Sequence, residues 1–247
     1  ETLESGSYAI LSLQAAVYDL KSEQLDVLVT PPINKHNIQT AKFKFPGHTD
    51  YLNQQLDGDS LMFMISESLK IGLLTDHIPL HSVSSYIDEA LITKKIKILD
   101  KSLKIDFGIK KPKIAVLGIN PHSGDNGIIG SEDDKLLRPA LKKLNGIDKL
   151  IFGPYSADSF FGNKQFEKFD AVIASYHDQG LIPFKTLTFG YGVNFTAGLN
   201  RIRTSPDHGT AYDIAGKGLA DISSFKHAIL SAIKIFKQRT EYKHEAK

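Results

Sequence analysis

Three of the nine histidines in this chain, His77, His122 and His177, stand close to Asp or Asn just after short apolar runs. Three imidazoles converging from separate loops would form an open metal site, with positions left for water or substrate. Imidazole ligands favour zinc or a similar transition ion over magnesium or calcium. The plainer reading is that each histidine caps a helix or bonds a backbone carbonyl, since no local spacing such as HExxH links them. His77 and His81 form a rival pair four residues apart, but Pro79 between them argues against a regular helix there.

Lys185, Asn194 and Arg203 form a second constellation. A substrate bearing phosphate or carboxylate needs fixed cations, and arginine grips such groups through two parallel hydrogen bonds. Arg203 lies among Ile202, Thr204 and Ser205, an unusual setting for a solvated surface charge. In the GHTD segment, His48 and Thr49 either donate to a substrate anion or begin a helix running toward Leu56, with Thr49 as its N-cap.

The third constellation is HGTAYDIAGKG, from His208 to Gly218. Gly209, Gly216 and Gly218 permit close approach of backbone to a ligand. Asp213 is placed to accept both hydroxyls of an adenosine ribose and to repel a 2′-phosphate, which favours NAD over NADP. No GxGxxG follows a first strand, so an ordinary Rossmann site is not supported. The bland alternative is a glycine-rich turn leading into the C-terminal helix. SGDNG at Ser123–Gly127 lacks the ligand alternation of a calcium loop and reads as a turn. The absence of GxSxG removes the nucleophile of a serine hydrolase.

The elements that must hold these groups alternate. Apolar residues at helical spacing predict a helix over Tyr8–Leu20 and another from Val83 to about Ile105. Asp133–Leu144 and Ile222–Arg239 also read as helices. Short apolar runs predict strands at Leu25–Thr30, Leu61–Ile65, Ile71–Thr75, Lys113–Ile119, Leu150–Gly153, Ala171–Tyr176 and Gly192–Ala197. The stretch Ser175–Ala220 has no apolar period and reads as a series of loops. Alternation of this kind predicts an α/β fold with helices covering the sheet. TDH, NPHSGD, GPYSAD and HDQG all follow predicted strands, at the ends where open α/β sheets place ligands.

Composition narrows the class. With 41% hydrophobic and 23% charged residues, the chain has the balance of an ordinary globular protein. A net charge of +2 gives no global pull toward nucleic acid or membrane, and no apolar run approaches a bilayer span. The absence of cysteine excludes disulfides, thiolate metal sites and a cysteine nucleophile, and suits a cytoplasmic protein.

The ordered motifs GHTD, TDHIPL, GINPHSGDNG, GPYSAD, SYHDQGLIPFK, GVNFTAGLNRIRTS and DHGTAYDIAGKG resemble the 4-hydroxythreonine-4-phosphate dehydrogenase family, from about Ser5 to Lys237. The resemblance implies a two-domain α/β/α architecture similar to isocitrate and isopropylmalate dehydrogenases. It implies a nucleotide-binding domain from residues 1–35 and 204–247, and a metal, substrate and dimerisation domain from 36–203. Members start with a strand and a DPAGIGPE-like loop, so the resemblance also implies that an N-terminal portion is missing ahead of Glu1.

The implied activity is oxidation and decarboxylation of 4-phosphooxy-L-threonine by NAD, yielding 3-amino-2-oxopropyl phosphate for pyridoxal phosphate biosynthesis. By resemblance, His77, His122 and His177 match the ligands of a divalent metal, zinc before cobalt or magnesium. His48, Thr49, Lys185, Asn194 and Arg203 match substrate-binding positions, and His208, Gly209, Thr210 and Asp213 the cofactor loop. Lys185 and Asp158 are the candidate catalytic residues. The implied partner is a second copy of the chain, with the active site at the interface and ligands from both subunits. Neither nucleic acid nor membrane is implied. Rival readings are a paralogue acting on another phosphorylated hydroxy acid, such as threonate 4-phosphate, an inactive binding or dimerisation module, and a metal-dependent hydrolase of phosphorylated compounds.

Overall fold

The computed structural model describes residues 2–40, 43–45, 47–146 and 149–245. In chain order its main elements are α1 (Leu3–Lys21), β1 (Val27–Val29), α2 (His48–Gln55), β2 (Gly58–Ile65), β3 (Lys70–Leu73), α3 (Val83–Tyr86) and α4 (Glu89–Ile105). There follow β4 (Lys113–Leu117), α5 (Arg138–Leu144), β5 (Leu150–Tyr155), α6 (Ala157–Gly162), β6 (Ala171–Ala174), α7 (His177–Leu187), β7 (Val193–Leu199), β8 (Ile202–Pro206) and α8 (Ser223–Glu245). The expected mixed α/β fold is present. No described helix is long and apolar enough to cross a membrane.

The chain divides into two compact units, Glu1–Ser60 with Gly190–Glu245, and Leu61–Phe189. In the first unit β8 is central, pairing parallel with β1 and antiparallel with β7. The Thr204 hydroxyl donates to the Ala228 carbonyl at 2.8 Å, fixing α8 against β8. Leu13, Val17 and Leu20 of α1 join Tyr51, Leu52 and Phe43 in one apolar cluster. Gly6 lets α1 approach the chain closely, because a Cβ there would stand 2.1 Å from the Asn37 carbonyl oxygen.

In the second unit β3, β6, β4 and β5 run parallel, and β2 pairs antiparallel with β3. Met64, Ile71, Leu73, Leu117, Val172, Leu181 and Phe184 lie within its buried core. Phe184 and Leu181 come from α7, so that helix is anchored by its apolar face.

Several expectations need correction. The stretch Ser175–Ala220 is not only loops: besides the expected strand at Gly192–Ala197, present as β7, it contains α7 and β8. Gly180 and Pro183 interrupt the apolar spacing of α7, yet Gly180 is what lets the helix lie on β3 and β6. A Cβ on Gly180 would meet Leu73, Ala174 and Ile71 at 2.9–3.0 Å. The long helix expected from Val83 is broken. Ile87 is extended, and the Asp88 carboxylate restarts the helix by accepting from the Leu91 N–H at 2.7 Å. A π-helical turn at Asp133–Leu137 precedes α5 where one regular helix was expected. Thr49 is not an N-cap, because Gly47 holds that position and supplies no side-chain cap.

The close seat of α7 leads to a test. Gly180→Val adds two methyl groups and a Cβ to a filled contact, and is expected to destabilise the protein by about 1–3 kcal/mol. An unshifted urea midpoint would show that α7 is not held this closely.

Candidate functional site

Parallel pairing in the second unit decides where the histidine-bearing loops emerge. Leu73 is in register with Ala174, and Val116 with Ile173, so β3, β6 and β4 end at the same edge. The chain leaving them carries His77, His177 and His122 respectively. Thr75 ties two of these exits together, since its hydroxyl donates to the Ser175 carbonyl at 2.7 Å and its N–H to the same oxygen at 3.3 Å. The rings of His77 and His177 come to 5.6 Å between centroids. His177 Nδ1 is hydrogen-bonded to Asp178 at 2.7 Å, which leaves Nε2 as the nitrogen able to bind a metal.

His122 arrives on a different kind of loop. His122, Ser123, Asp125 and Asn126 all have left-handed backbone, with φ between 44° and 54°. Such conformations cost energy for residues with a Cβ and persist where surrounding contacts impose them. The fully buried Asp133 carboxylate imposes this one, accepting from the N–H groups of Ile119 (2.8 Å) and Asn120 (3.0 Å). Asp158, at the start of α6, is exposed, and its carboxyl is held below the usual range. The Ser156 hydroxyl is the main cause, followed by the Ser159 N–H and, after these, the charge of His122. Asp158 is therefore an ionised acceptor near His122 at neutral pH. Among the described residues, no group of three or more His, Asp or Glu side chains is arranged to hold a metal. Two of the three expected imidazoles meet, and His122 does not complete the group within one chain. Lys185 lies on α7 eight residues beyond His177, about 12 Å along the helix axis.

Arg203 is the electrostatic centre of the first unit. Its guanidinium is buried and, among the described residues, bonds only hydroxyls, through Nε (3.0 Å) and Nη2 (2.7 Å) to Thr30 Oγ1 and Nη1 (3.3 Å) to Thr196 Oγ1. Among the described residues no carboxylate pairs with it. Burial pushes its pKa down to about 9, so it remains a cation at neutral pH. Nearby His48 is pushed down to about 3, first by burial and then by the charges of Arg203 and Lys35. Asn194, in register with Ser205 across β7 and β8, has a buried side-chain oxygen without a hydrogen-bond partner among the described residues. A buried cation with no acid beside it among the described residues, a neutral imidazole and an uncapped helix start together suit an anionic ligand.

The glycine loop borders a cavity of about 500 Å³, lined by Gly6, Ala9 and Pro31–Ile33 together with His208–Tyr212, Gly216 and Gly218. Gly216 and Gly218 have φ of 74° and 68°, and a Cβ on either of them, or on Gly209, would meet nothing within 4 Å. Bare backbone here faces open space. Asp213 is exposed on a short 3-10 turn, Tyr212–Ile214.

Four contributors were not among the residues expected from the sequence. Lys35 follows the Pro31–Pro32 exit of β1, and the rule that polar residues after strand ends face ligands points to it. Thr30 and Thr196 bind Arg203 but look like ordinary strand residues. Gln179 sits inside HDQG, beside a histidine whose chemistry is the more obvious.

The environment of His48 predicts a pH response. Its folded value lies far below the ordinary 6.5, so the unfolded chain takes up this proton first as pH falls. Stability contributed by neutral His48 is complete above about pH 6.5 and declines toward pH 3. An NMR titration should show its ring signal unmoved between pH 8 and 5, these limits being set roughly 1.5 units about the ordinary value. A midpoint near the ordinary value would contradict the cationic, buried setting.

The sequence matches the family described as pyridoxal phosphate biosynthetic protein PdxA over residues 1–232. It is 46% identical over 242 residues to a 4-hydroxythreonine-4-phosphate dehydrogenase of Bacteroides thetaiotaomicron, covering 97% of this chain and 66% of that protein. The crystal structure of the 4-hydroxythreonine-4-phosphate dehydrogenase of Klebsiella pneumoniae superposes with a TM-score of 0.83 at 35% identity, covering 95% of this chain and 71% of the other. A terephthalate 1,2-cis-dihydrodiol dehydrogenase of Burkholderia xenovorans superposes with a TM-score of 0.68 at 26% identity, covering 94% and 74%. The chain thus spans about two thirds of the length of the Bacteroides relative. Motif order, fold and near-complete coverage of this chain agree, and the chain belongs to the PdxA family.

Proposed function

We propose that the full-length protein is a cytoplasmic, homodimeric, NAD-dependent dehydrogenase that oxidises and decarboxylates 4-phosphooxy-L-threonine to 3-amino-2-oxopropyl phosphate. The observation that carries this reading is the buried Arg203 guanidinium, whose partners among the described residues are hydroxyls. A fixed cation without an internal acid suits a substrate that brings its own negative charge. The name of the Bacteroides relative gives that substrate its identity.

In this reading Arg203 grips a substrate anion, aided by the backbone N–H groups at the start of α2 around His48 and Thr49. His48, held neutral, exchanges hydrogen bonds with the substrate without adding charge, and Asn194 directs its amide to the same ligand. Asp213, beside His208, Gly209 and Thr210, would hold the adenosine ribose of NAD, which when bound would supply the hydride acceptor for the secondary alcohol carbon while the hydroxyl proton leaves to water. The resulting 3-oxo acid releases carbon dioxide, and Lys185 protonates the carbon that carried the carboxylate. Asp158, already ionised, serves as a hydrogen-bond acceptor near the reacting groups.

The donor set of His77, His122 and His177 would hold a divalent cation, zinc before cobalt or magnesium. When bound, such a cation supplies Lewis-acid stabilisation to developing negative oxygen. The approach of His77 to His177 fits part of such a set. The separate placement of His122 supports a site completed by ligands from both subunits. We further assign residues 1–35 and 204–247 to nucleotide binding and 36–203 to metal, substrate and dimer contacts. The lining of the cavity by α1, the Pro31–Pro32 segment and the glycine loop supports the first assignment.

The test uses full-length protein supplied with zinc or cobalt. NADH should form with 4-phosphooxy-L-threonine, and faster than with threonate 4-phosphate. Phosphate release without NAD would instead identify a hydrolase. Arg203→Met should raise the substrate KM about ten- to hundred-fold, as expected for losing hydrogen bonds to a charged group, while leaving the KM for NAD unchanged. His122→Ala should lose bound metal and turnover together, and undiminished metal content would remove His122 from the ligand set.

A further inference from the structure

Each end of the Gln179 carboxamide meets a different strand exit. Its Oε1 accepts from the Ser175 N–H at 2.7 Å, on its own β6–α7 connection. Its Nε2 donates to the Gly118 carbonyl at 2.7 Å, where the chain leaves β4 toward His122. Ser175 reinforces the joint, with its hydroxyl 3.3 Å from the carbonyls of Leu117 and Gly118. Through its own carbonyl Ser175 also receives the Thr75 hydroxyl, from the segment that leads to His77.

Gly118 is itself closely confined. A Cβ there would stand 2.7 Å from Ser123 Oγ and 3.0 Å from Asp133 Oδ1. Beyond it the loop runs through left-handed His122 and Ser123. That conformation is imposed from outside, by Asp133 on the Ile119 and Asn120 amides and by Gln179 on the Gly118 carbonyl. The His122 ring is exposed, so apolar packing of that side chain does not hold it in place.

We infer that Gln179 is a positioning residue that fixes the His122 loop to the strand edge, and with it the imidazole this chain contributes to a site shared between subunits, so that divalent-cation affinity depends on its amide. The inference rests on the three-histidine reading proposed above. Residue type matters because the position needs an acceptor and a donor at once. A glutamate keeps the acceptor for Ser175 but turns an oxygen toward the Gly118 carbonyl. Removal of such an outer support from metal ligands typically weakens binding about 10- to 100-fold.

The experiment measures Co²⁺ binding to full-length wild type, Gln179→Glu and Gln179→Ala, by calorimetry and by the visible absorption of the bound ion. Amide hydrogen exchange is followed at Ser175 and across residues 118–124 in the absence of metal. The expected result is about ten-fold or greater loss of Co²⁺ affinity with an altered spectrum, an unchanged NAD affinity, and faster exchange confined to Ser175 and the His122 loop. Wild-type affinity and spectrum in both variants would overturn the inference. If wild type binds no Co²⁺, or binds it equally after His177→Ala, the three-histidine reading fails by itself. The exchange measurement then decides the role of Gln179: faster exchange sustains the strut and unchanged protection rejects it. If Gln179→Ala does not fold, Gln179→Glu, nearly identical in shape, decides the question by the same readouts.

Discussion

Parallel hydrogen bonding among β3, β6 and β4 is the constraint from which the candidate chemistry of the second unit follows. Neighbouring strands in such a ladder lie about 4.8 Å apart and end in the same direction. Three separate loops are therefore delivered to one edge whatever their sequences. Aliphatic residues on both faces of β6 are buried, and Phe184 and Leu181 pack α7 into the same core. Polar residues beyond the ends are left free to be shaped by hydrogen bonds alone, and Thr75, Ser175, Gln179 and Asp133 do that shaping.

In the first unit the governing term is electrostatic. A buried guanidinium without a carboxylate costs stability, since hydroxyl oxygens replace only part of its hydration. His48 is kept neutral first by its own burial, and the Arg203 charge adds to that effect. Sites that violate the usual rule of pairing buried charge are where a fold gives up stability for binding. The glycine loop follows a related logic. Residues whose absent side chains would meet only open space offer backbone to a ligand and contribute nothing to the core.

Much of the fold was legible because burial leaves a periodic trace. Leu13, Val17 and Leu20 mark α1, and Ile92, Ile96, Leu99 and Leu103 mark α4. The continuous apolar runs of β4 and β6 announced strands buried on both faces. Illegible stretches had a physical reason. In α7 the contact with β3 and β6 is made by a glycine, which no scale of hydrophobicity detects. The break before α4 depends on one carboxylate, Asp88, reaching one N–H. In the GHTD segment the helix start falls on Gly47, which lacks any side-chain signal.

Residue types and their order determined the mixed α/β class, the family, and which side chains were capable of chemistry, because these depend on composition, local spacing and motif order. Tertiary structure decided which of them meet. It brings His77 to His177, leaves His122 near Asp158, and buries Arg203 against two threonines 173 and seven residues away in sequence. Strand register and the hydrogen bonds of single amides set those distances, and neither has a periodic signature along the chain.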